Sequence, residues 1–459
     1  MSPQEVLDRA DQLRRGLGVD FRDRMVTSLY EESRRIASRV VRRRGESVWD
    51  FDQRIDRLVT SPLWGLPLML LLLAVVFWIT IVGANYPSQW LGRLLFSIEA
   101  AGAGLFETLG FPAWITGLLW HGIWRSLAWV VSVMLPPMAI FFPLFTILED
   151  LGYLPRVAFN LDWLFQKAGA HGKQALSMAM GFGCNAAGVI STRIIDSPRE
   201  RLIAILTNNF VPCNGRFPTL IMLGTLFVGA AFPPALASVA AAGSVVAVVL
   251  IGAGFTFFAS WLLARTVLRG EASAFTLELP PYRRPSVLRI LYTSLIDRTG
   301  FVLLRAAMIS APAGAVIWVL GNIHVSGASL AQHIAAFLDP FGRALGLDGV
   351  ILLAYIIAIP ANEIVVPTML MVYTGAAMMT EVSSFEQLRG ILVDSHGWSL
   401  LTAVCLMLFS LLHNPCGTTI VTIWKETRSA KWTALGALMP LGFAFAVTFA
   451  VASAGRWLH

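Results

Sequence analysis

The stretch "NNFVPCNGRFPTLIML" (Asn208–Leu223) interrupts a segment that otherwise has the apolar pattern of a membrane span. Its centre holds a proline, a thiol, an amide and a guanidinium, in the order Pro212-Cys213-Asn214-Gly215-Arg216. Proline removes a backbone donor and clashes with the preceding helical turn. Irregular backbone at membrane depth is tolerated only where protein or water surrounds it. The stretch therefore predicts a discontinuous helix in the interior of a membrane-embedded bundle.

The composition agrees with a membrane protein. Of the 459 residues, 56% are hydrophobic and 14% are charged, whereas a soluble domain carries about 25% charged residues. Apolar runs recur at the length of about 20 residues that a helix needs to cross a bilayer. All four cysteines lie within apolar segments, which is not the layout of an extracellular disulfide framework. We therefore expect a polytopic membrane protein.

Arginine and lysine predict the direction of the apolar runs, because cytoplasmic loops are enriched in both. Segment 265–300 holds six arginines and is expected in the cytoplasm, whereas three segments with one such residue each are expected outside (85–124, 323–348 and 375–397). Both flanks of 174–192 are then cytoplasmic and both flanks of 349–374 external, so neither run can cross. The prediction is an all-α protein with about seven transmembrane helices and two re-entrant hairpins. The nine runs are roughly 64–84, 125–148, 174–192, 202–227, 235–264, 301–322, 349–374, 398–424 and 432–455.

The order of these runs repeats with inverted direction. Span, hairpin and broken span follow one another at about 125–230 and again at about 300–425. The break "VPCNG" (Val211–Gly215) has its counterpart in "NPCGTT" (Asn414–Thr419). Inverted repeats with discontinuous helices are typical of transporters, which bind their substrate between the two halves near the midplane.

Several side chains beside the breaks could hold a transition metal, since thiols favour soft and borderline metals. Glu363 lies within the second hairpin and Arg216 within the first broken span, where a charge marks a substrate pathway and the two could pair. Against this stands the ordinary role of a buried cysteine as a small apolar filler, which we expect for Cys405. Packing is equally the ordinary role of Met178. The candidate metal ligands are Cys184, Cys213, Cys416, Glu363, Asn185, Glu149, Asp150 and Met178.

Catalytic motifs are missing from the sequence: it holds no H-E-x-x-H, no G-x-S-x-G and no G-x-x-x-x-G-K-[ST]. We therefore expect a transporter rather than an enzyme, with no permanently bound cofactor and no GTPase motif in this chain. Residues 1–60 hold thirteen arginines and eleven acids, and we expect a basic cytoplasmic helical leader ahead of a permease domain at 61–459. Membrane lipid is the first expected partner, nucleic acid is not expected, and a homo-oligomer is possible.

Six motifs in order resemble the membrane domain of the bacterial ferrous-iron transporter FeoB family. They are "LEDLGYLPRVAF" (Leu148–Phe159), "HGKQALSMAMGFGCN" (His171–Asn185), "VPCNGRFP" (Val211–Pro218), "LELPPYRRP" (Leu277–Pro285), "ANEIVVPT" (Ala361–Thr368) and "NPCGTTIVTIWKETRSAKW" (Asn414–Trp432). The resemblance implies Fe²⁺ uptake across the bacterial inner membrane through two gate-type repeats that resemble nucleoside transporters. It implies iron-path roles for Cys184, Cys213 and Cys416, an acidic motif at Glu149 and Asp150, and a glutamate at Glu363.

The family usually carries a GTP-binding domain, and this chain has about 60 residues before its first span. We therefore expect the membrane half of a split system, with a separate GTPase subunit that supplies any use of GTP and a small FeoA-like protein as a further partner. Two other readings stay open from the sequence. One is a gate-type permease for a nucleoside or another organic solute, and the other is a membrane sensor or scaffold.

Overall fold

The computed structural model describes residues 4–5, 9, 21–41, 55–61, 63–170, 172–269, 282–283, 285–380 and 384–457. Most of the leader lies outside these residues, including nearly all of the helix that the pattern predicts over residues 4–17. Phe21–Val40 forms helix α1, whose described side chains are exposed. The helical leader as a whole therefore stays a prediction.

Helices make up almost all of the remaining described chain, with a single two-stranded ribbon among the described residues. The ribbon pairs β1 (His324–Val325) with β2 (Ala328–Ser329) in antiparallel register. The helices in chain order are α2 (Gly65–Thr108), α3 (Ala113–Asp150), α4 (Tyr153–Lys167), α5 (Gln174–Gly183), α6 (Asn185–Ser191), α7 (Pro198–Thr207), α8 (Phe217–Ala231), α9 (Pro234–Arg265), α10 (Leu288–Asn322), α11 (Leu330–Ala344), α12 (Gly349–Ile357), α13 (Val365–Thr374), α14 (Phe385–Arg389), α15 (Leu400–Leu412), α16 (Gly417–Thr427) and α17 (Ala430–Trp457).

Six segments of the described chain are long and apolar enough to cross a membrane: α2, α3, α9, α10, α15 with α16, and α17. The chain is thus a multi-pass membrane protein, as its composition predicts. The seventh predicted crossing, 202–227, is divided into α7 and α8 by the break around Pro212. Neither helix alone has the length of a span, so a crossing at 202–227 stays a prediction.

The first span is longer than the predicted 64–84, because most of 85–124, which was expected only to lie outside, is helical. Helix α2 has 44 residues and continues through Pro87, so at 1.5 Å per residue it reaches roughly 66 Å. That is about twice the thickness of the hydrocarbon layer. Helix α3 then begins at Ala113. Residues 85–124 therefore belong mostly to the two long helices α2 and α3.

Both predicted hairpins return to the level at which they enter. At the first, the ammonium of Lys173, just before α5, donates to the carbonyl of Ile194 at 3.0 Å and to Asp196 at 2.8 Å, just after α6. At the second, Asp348 caps the start of α12 and accepts a hydrogen bond from the hydroxyl of Tyr373 near the end of α13. Helix α11 leads into α12 across a bend of 111°. These contacts close the base of each hairpin.

Matching backbone angles relate the two hairpin tips. Cys184, between α5 and α6, has φ −154° and ψ 124°. Ala361, just before the short 3-10 turn Asn362–Ile364, has φ −153° and ψ 124°. An asparagine follows each of these extended residues, namely Asn185 and Asn362. The hairpins thus turn at equivalent residues, as the inverted repeat requires.

A polar cluster ties the loops beside the first repeat together. The guanidinium of Arg156 on α4, which is buried, donates to both oxygens of the Asp56 carboxylate, at 3.0 and 3.1 Å. The hydroxyl of Tyr282 donates to the same carboxylate at 2.8 Å. The Tyr282 ring also lies against the Arg156 guanidinium, 4.2 Å from its centre. Three distant parts of the chain are therefore held at one point.

Candidate functional site

The two helix breaks contact the two hairpin tips in the same way. Asn214, which follows Cys213, donates its backbone N–H to the carbonyl of Gly183 at 3.3 Å. Gly417, which follows Cys416, donates its backbone N–H to the carbonyl of Ile359 at 2.7 Å. Backbone donors and acceptors freed by the breaks are therefore satisfied by the hairpins, as a membrane interior demands.

The breaks and tips surround a small cavity of about 30 Å³. Its walls include three cysteines, Cys184, Cys213 and Cys416, which we call the cavity cysteines. Asn185, Asn362 and Glu363 from the hairpins also line it. A space of this size holds about one water molecule or one dehydrated ion.

Hydrogen bonds at the cavity cross from one repeat to the other. The Asn362 amide donates to the sulfur of Cys213 at 3.9 Å, and its oxygen lies 3.2 Å from Nε2 of His413. Asn185 contacts the amide of Asn209 at 3.2 Å in the first repeat. The His413 ring is buried, with Nδ1 at the carbonyl of Ser410 and Nε2 at the side-chain oxygen of Asn362. The histidine thus has a structural set of hydrogen bonds.

Glu363 lies over the first break although it belongs to the second hairpin. A Cβ built on Gly215 would come 2.3 Å from its Oε1, so only glycine permits this approach. The Glu363 carboxylate makes no ion pair or side-chain hydrogen bond with any other residue that the structure describes. A carboxyl group that faces a buried cavity without a partner among the described residues favours a cation as its partner.

The predicted pairing of Glu363 with Arg216 is wrong. The Arg216 guanidinium is buried and points into the junction of the two breaks, where it donates to five oxygens. These are the carbonyls of Asn209, Leu411, His413 and Asn414 and the side-chain oxygen of Asn209. Its charge is therefore directed at the backbone, and the acid remains available to the cavity.

Three of the proposed ligands lie elsewhere. Glu149 and Asp150 are exposed at the end of α3, and Met178 packs in an apolar cluster with Phe165 and Leu206. Cys405, predicted as a filler, is buried outside the cavity, where a Cβ on Gly346 would meet its sulfur. The eight residues thus separate into five at the cavity and three away from it.

Sequence reasoning missed two methionines that do line the cavity. Met134 and Met138 project from α3. Their separation of four residues places them on one face of a helix, and they flank the pair Pro136-Pro137. That spacing beside prolines is the signal from which they could have been found. Thioether sulfur is a ligand suited to soft metals.

A larger cavity of about 380 Å³ lies next to the first. Thr418 lines the small cavity and Thr422, one turn further along α16, lines the large one. Ala306 and Val302 have the same relation on α10. We call the larger cavity the vestibule. It opens toward the loops that the sequence predicts to be cytoplasmic.

The vestibule is bounded by an ion bridge between the repeats. The carboxylate of Glu426, at the end of α16, accepts from Arg193 at 2.6 Å and from Arg201 at 2.9 Å. Both arginines belong to the segment that follows the first hairpin. Arg305 and Lys425 add further positive charge to the wall. The bridge therefore joins the end of the second repeat to the first.

No three His, Cys, Asp or Glu side chains are close enough together in the described part of the chain to hold an ion at once. The cavity thus presents ligands from both repeats without closing them into a rigid coordination shell.

Family comparisons agree with this architecture. A family model described as "Nucleoside recognition", the Gate family, matches residues 131–227 and 303–430. A second model, "Ferrous iron transport protein B C terminus", matches residues 245–297 between those parts. No solved structure gives a significant match to the chain.

Curated relatives match most of the chain. It is similar to the Fe(2+) transporter FeoB of Staphylococcus aureus, with 29% identity over 87% of this chain and 58% of the relative. The Fe(2+) transporter FeoB of Campylobacter jejuni is 28% identical over 86% of this chain and 64% of the relative. A Fe(2+) transport protein A/Fe(2+) transporter FeoB fusion protein of Porphyromonas gingivalis is 27% identical, over 87% and 51%. The chain thus spans between about half and two thirds of these relatives, and the two family models together with these identities support a FeoB-type membrane domain.

Proposed function

We propose that this protein carries Fe²⁺ across the bacterial inner membrane, into the cytoplasm. The observation that carries the proposal is the convergence of the three cavity cysteines and the unpaired Glu363 on one small cavity between two helix breaks. Curated relatives with the same membrane segments are named Fe(2+) transporters, which supports iron as the cargo.

The ligand types suit a borderline metal. Thiol and thioether sulfurs favour soft and borderline ions, while carboxylate and amide oxygens also accept harder ones. The cavity offers both kinds, with Asn185 as the amide on the first hairpin. Fe²⁺ fits such a mixed set better than Mg²⁺ or Ca²⁺, which prefer oxygen alone. We therefore assign the cavity cysteines, Glu363 and Asn185 as the transient binding site.

The route continues from the cavity to the vestibule. Along α16 the cargo passes from the level of Thr418 to that of Thr422, and along α10 from Ala306 to Val302. The vestibule walls carry Arg305 and Lys425, which repel a cation. This repulsion disfavours a cation at rest in the vestibule, so we propose the vestibule as a passage and not as a second binding site. Glu149 and Asp150 lie outside this route, so we assign them no ligand role in it.

Partners and orientation are part of the proposal. The fusion protein of P. gingivalis unites transport protein A with FeoB, which supports a small FeoA-like partner. A GTPase on a separate chain would supply any use of GTP, and residues 1–60 would contact it on the cytoplasmic side. The arginine-rich loops support that orientation.

A nucleoside is the second candidate cargo, because the Gate family is described by nucleoside recognition. The size of the cavity decides against it. Sites for small organic ligands usually enclose about 300–1,000 Å³, whereas the cavity between the breaks measures about 30 Å³. The vestibule is large enough, but its cationic wall offers no aromatic platform for a base beyond Phe301.

Uptake into proteoliposomes tests the proposal. Purified protein is reconstituted and supplied with radioactive Fe²⁺ under anaerobic, reducing conditions, with a radioactive nucleoside in a parallel sample. Saturable Fe²⁺ uptake that Zn²⁺ or Mn²⁺ inhibits more strongly than Mg²⁺ is the expected result. Uptake of the nucleoside without Fe²⁺ uptake would establish the second candidate instead.

A further inference from the structure

The two discontinuous helices direct their carbonyl ends at a single group, Arg216. Helix α7 ends just before Asn208 and helix α15 ends at Leu412. The last carbonyls of a helix have no partner within it and carry the negative end of its dipole. Two such ends that meet inside a membrane protein form a site for positive charge.

Arg216 fills that site with its own side chain. Nη1 donates to the carbonyls of Asn209 and Leu411, at 2.9 and 2.8 Å. Nη2 donates to the Asn209 side chain at 3.1 Å and to the carbonyls of His413 and Asn414, at 3.3 and 3.4 Å. Oxygens from the first and the second repeat therefore surround one guanidinium. We call these five oxygens the carbonyl cage.

No carboxylate forms an ion pair with Arg216 among the residues that the structure describes. Only 1% of the residue is exposed. A buried charge must be compensated, and here the compensation comes from backbone dipoles instead of an acid. The cage is therefore built for a monovalent cation rather than for an acid–base pair.

In transporters with discontinuous helices, unwound carbonyls and helix C-terminal ends coordinate the coupling Na⁺ or H⁺. We propose that the carbonyl cage is a monovalent-cation site whose permanent occupant is the guanidinium of Arg216. The chain thereby supplies the cation that such breaks otherwise take from solution. It follows that a Na⁺ or K⁺ gradient does not drive the protein through this site.

The proposal also gives Arg216 a positioning role. The Arg216 guanidinium donates hydrogen bonds to backbone carbonyls beside both breaks. Cys213 and Cys416 lie within those breaks and line the cavity. A cation that came and went would let the two breaks separate in each cycle. A tethered one keeps two of the cavity cysteines at a constant spacing. The inference deepens the proposed function, but the cage itself is independent of the identity of the cargo.

Thermal unfolding of the purified protein, without iron, tests the cage directly. Arg216→Ala empties it, and Leu220→Ala is the control, since Leu220 is equally buried but its truncation leaves no set of carbonyl oxygens for a cation. Millimolar guanidinium, far below denaturing concentrations, is titrated against choline as the inert cation. We expect a saturable rise in Tm for Arg216→Ala with guanidinium, and a weaker one with Na⁺ or K⁺. No rise is expected for the wild type or for Leu220→Ala.

Equal responses of the two alanine variants would overturn the proposal. If Arg216→Ala cannot be purified, the wild type decides. A Na⁺- or K⁺-specific rise in its Tm relative to choline would show a cage open to solution cations and would reject the proposal. An unchanged Tm would support it. Because no iron is present, failure here leaves the question of the cargo to the uptake assay.

Discussion

Replacement of Glu363 by glutamine removes one charge from the cavity and keeps the shape of the side chain. The carboxylate has no ion-pair partner among the described residues, so the substitution breaks no internal pair. In a cavity of about 30 Å³, an ion at the centre lies roughly 4–5 Å from a lining carboxylate. With an effective dielectric constant of about 20, the attraction between a divalent cation and that carboxylate is about 7 kcal/mol. Desolvation offsets most of it, and we take roughly 2–3 kcal/mol as the net loss.

That loss corresponds to a fall of roughly 30- to 150-fold in apparent affinity for Fe²⁺. The assay is initial-rate Fe²⁺ uptake into proteoliposomes over a range of iron concentrations, with the Tm of each variant measured beside it. Glu386→Gln is the matched control, because Glu386 is an exposed acid near α14 and away from the cavity. Affinity within about twofold of the wild type for Glu363→Gln, at an unchanged Tm, would refute the reasoning.

Further predictions concern the cavity thiols, one glycine and one tyrosine. Serine at each cavity cysteine should lower Fe²⁺ uptake about tenfold or more, because oxygen is a poorer ligand for a soft metal. Cys405→Ser is the control, since Cys405 lies outside the cavity. Equal uptake by all four serine variants would contradict a ligand role for the cavity cysteines. Gly183→Ala places a Cβ 2.2 Å from a ring carbon of Phe141 and should cost about 1–3 kcal/mol of stability. By contrast, Gly254→Ala meets nothing within 4 Å, so a Tm as low as that of Gly183→Ala would contradict the argument. Burial, followed by the hydrogen bond to Asp56, raises the pKa of Tyr282 to about 12 from 10.0. The neutral phenol therefore stabilises the fold fully below about pH 10, and this contribution is lost as the pH rises toward 12. The Tm difference between wild type and Tyr282→Phe should be constant below pH 10 and shrink above it; a difference that vanishes already at neutral pH would contradict the assignment.

Local signals were sufficient for the class of fold. Hydropathy and the lengths of the apolar runs depend only on neighbouring residues, and they predict the membrane spans. The Pro-Cys pairs at Pro212 and Pro415 act on the backbone within one turn, so the two breaks were found at the correct residues. Charge asymmetry of the flanks showed that 174–192 and 349–374 return on themselves. The bonds of Lys173 and of Tyr373 close both hairpins as expected.

The same local signals failed where packing overrides them. The apolar run that predicts the first span ends at residue 84, yet α2 continues through Pro87 to Thr108. A proline inside a membrane helix is tolerated when neighbouring groups satisfy the freed carbonyl, and the neighbours are not visible in sequence. Likewise 323–348, expected as an external segment, contains the β-ribbon and all of α11.

The sequence by itself determined which polar residues lie at membrane depth, because a proline, an acid or a thiol in an apolar run is apparent from its neighbours. Only the tertiary structure decided which of them meet. Asn362 and Cys213 are 149 positions apart but lie in contact, whereas Met178, only six residues before Cys184, packs in a separate apolar cluster. Arg216 binds the carbonyl cage and not Glu363, because the ends of both helices converge on its guanidinium. Convergence depends on how the two repeats pack against each other, and no periodicity along one chain records the distance between two repeats.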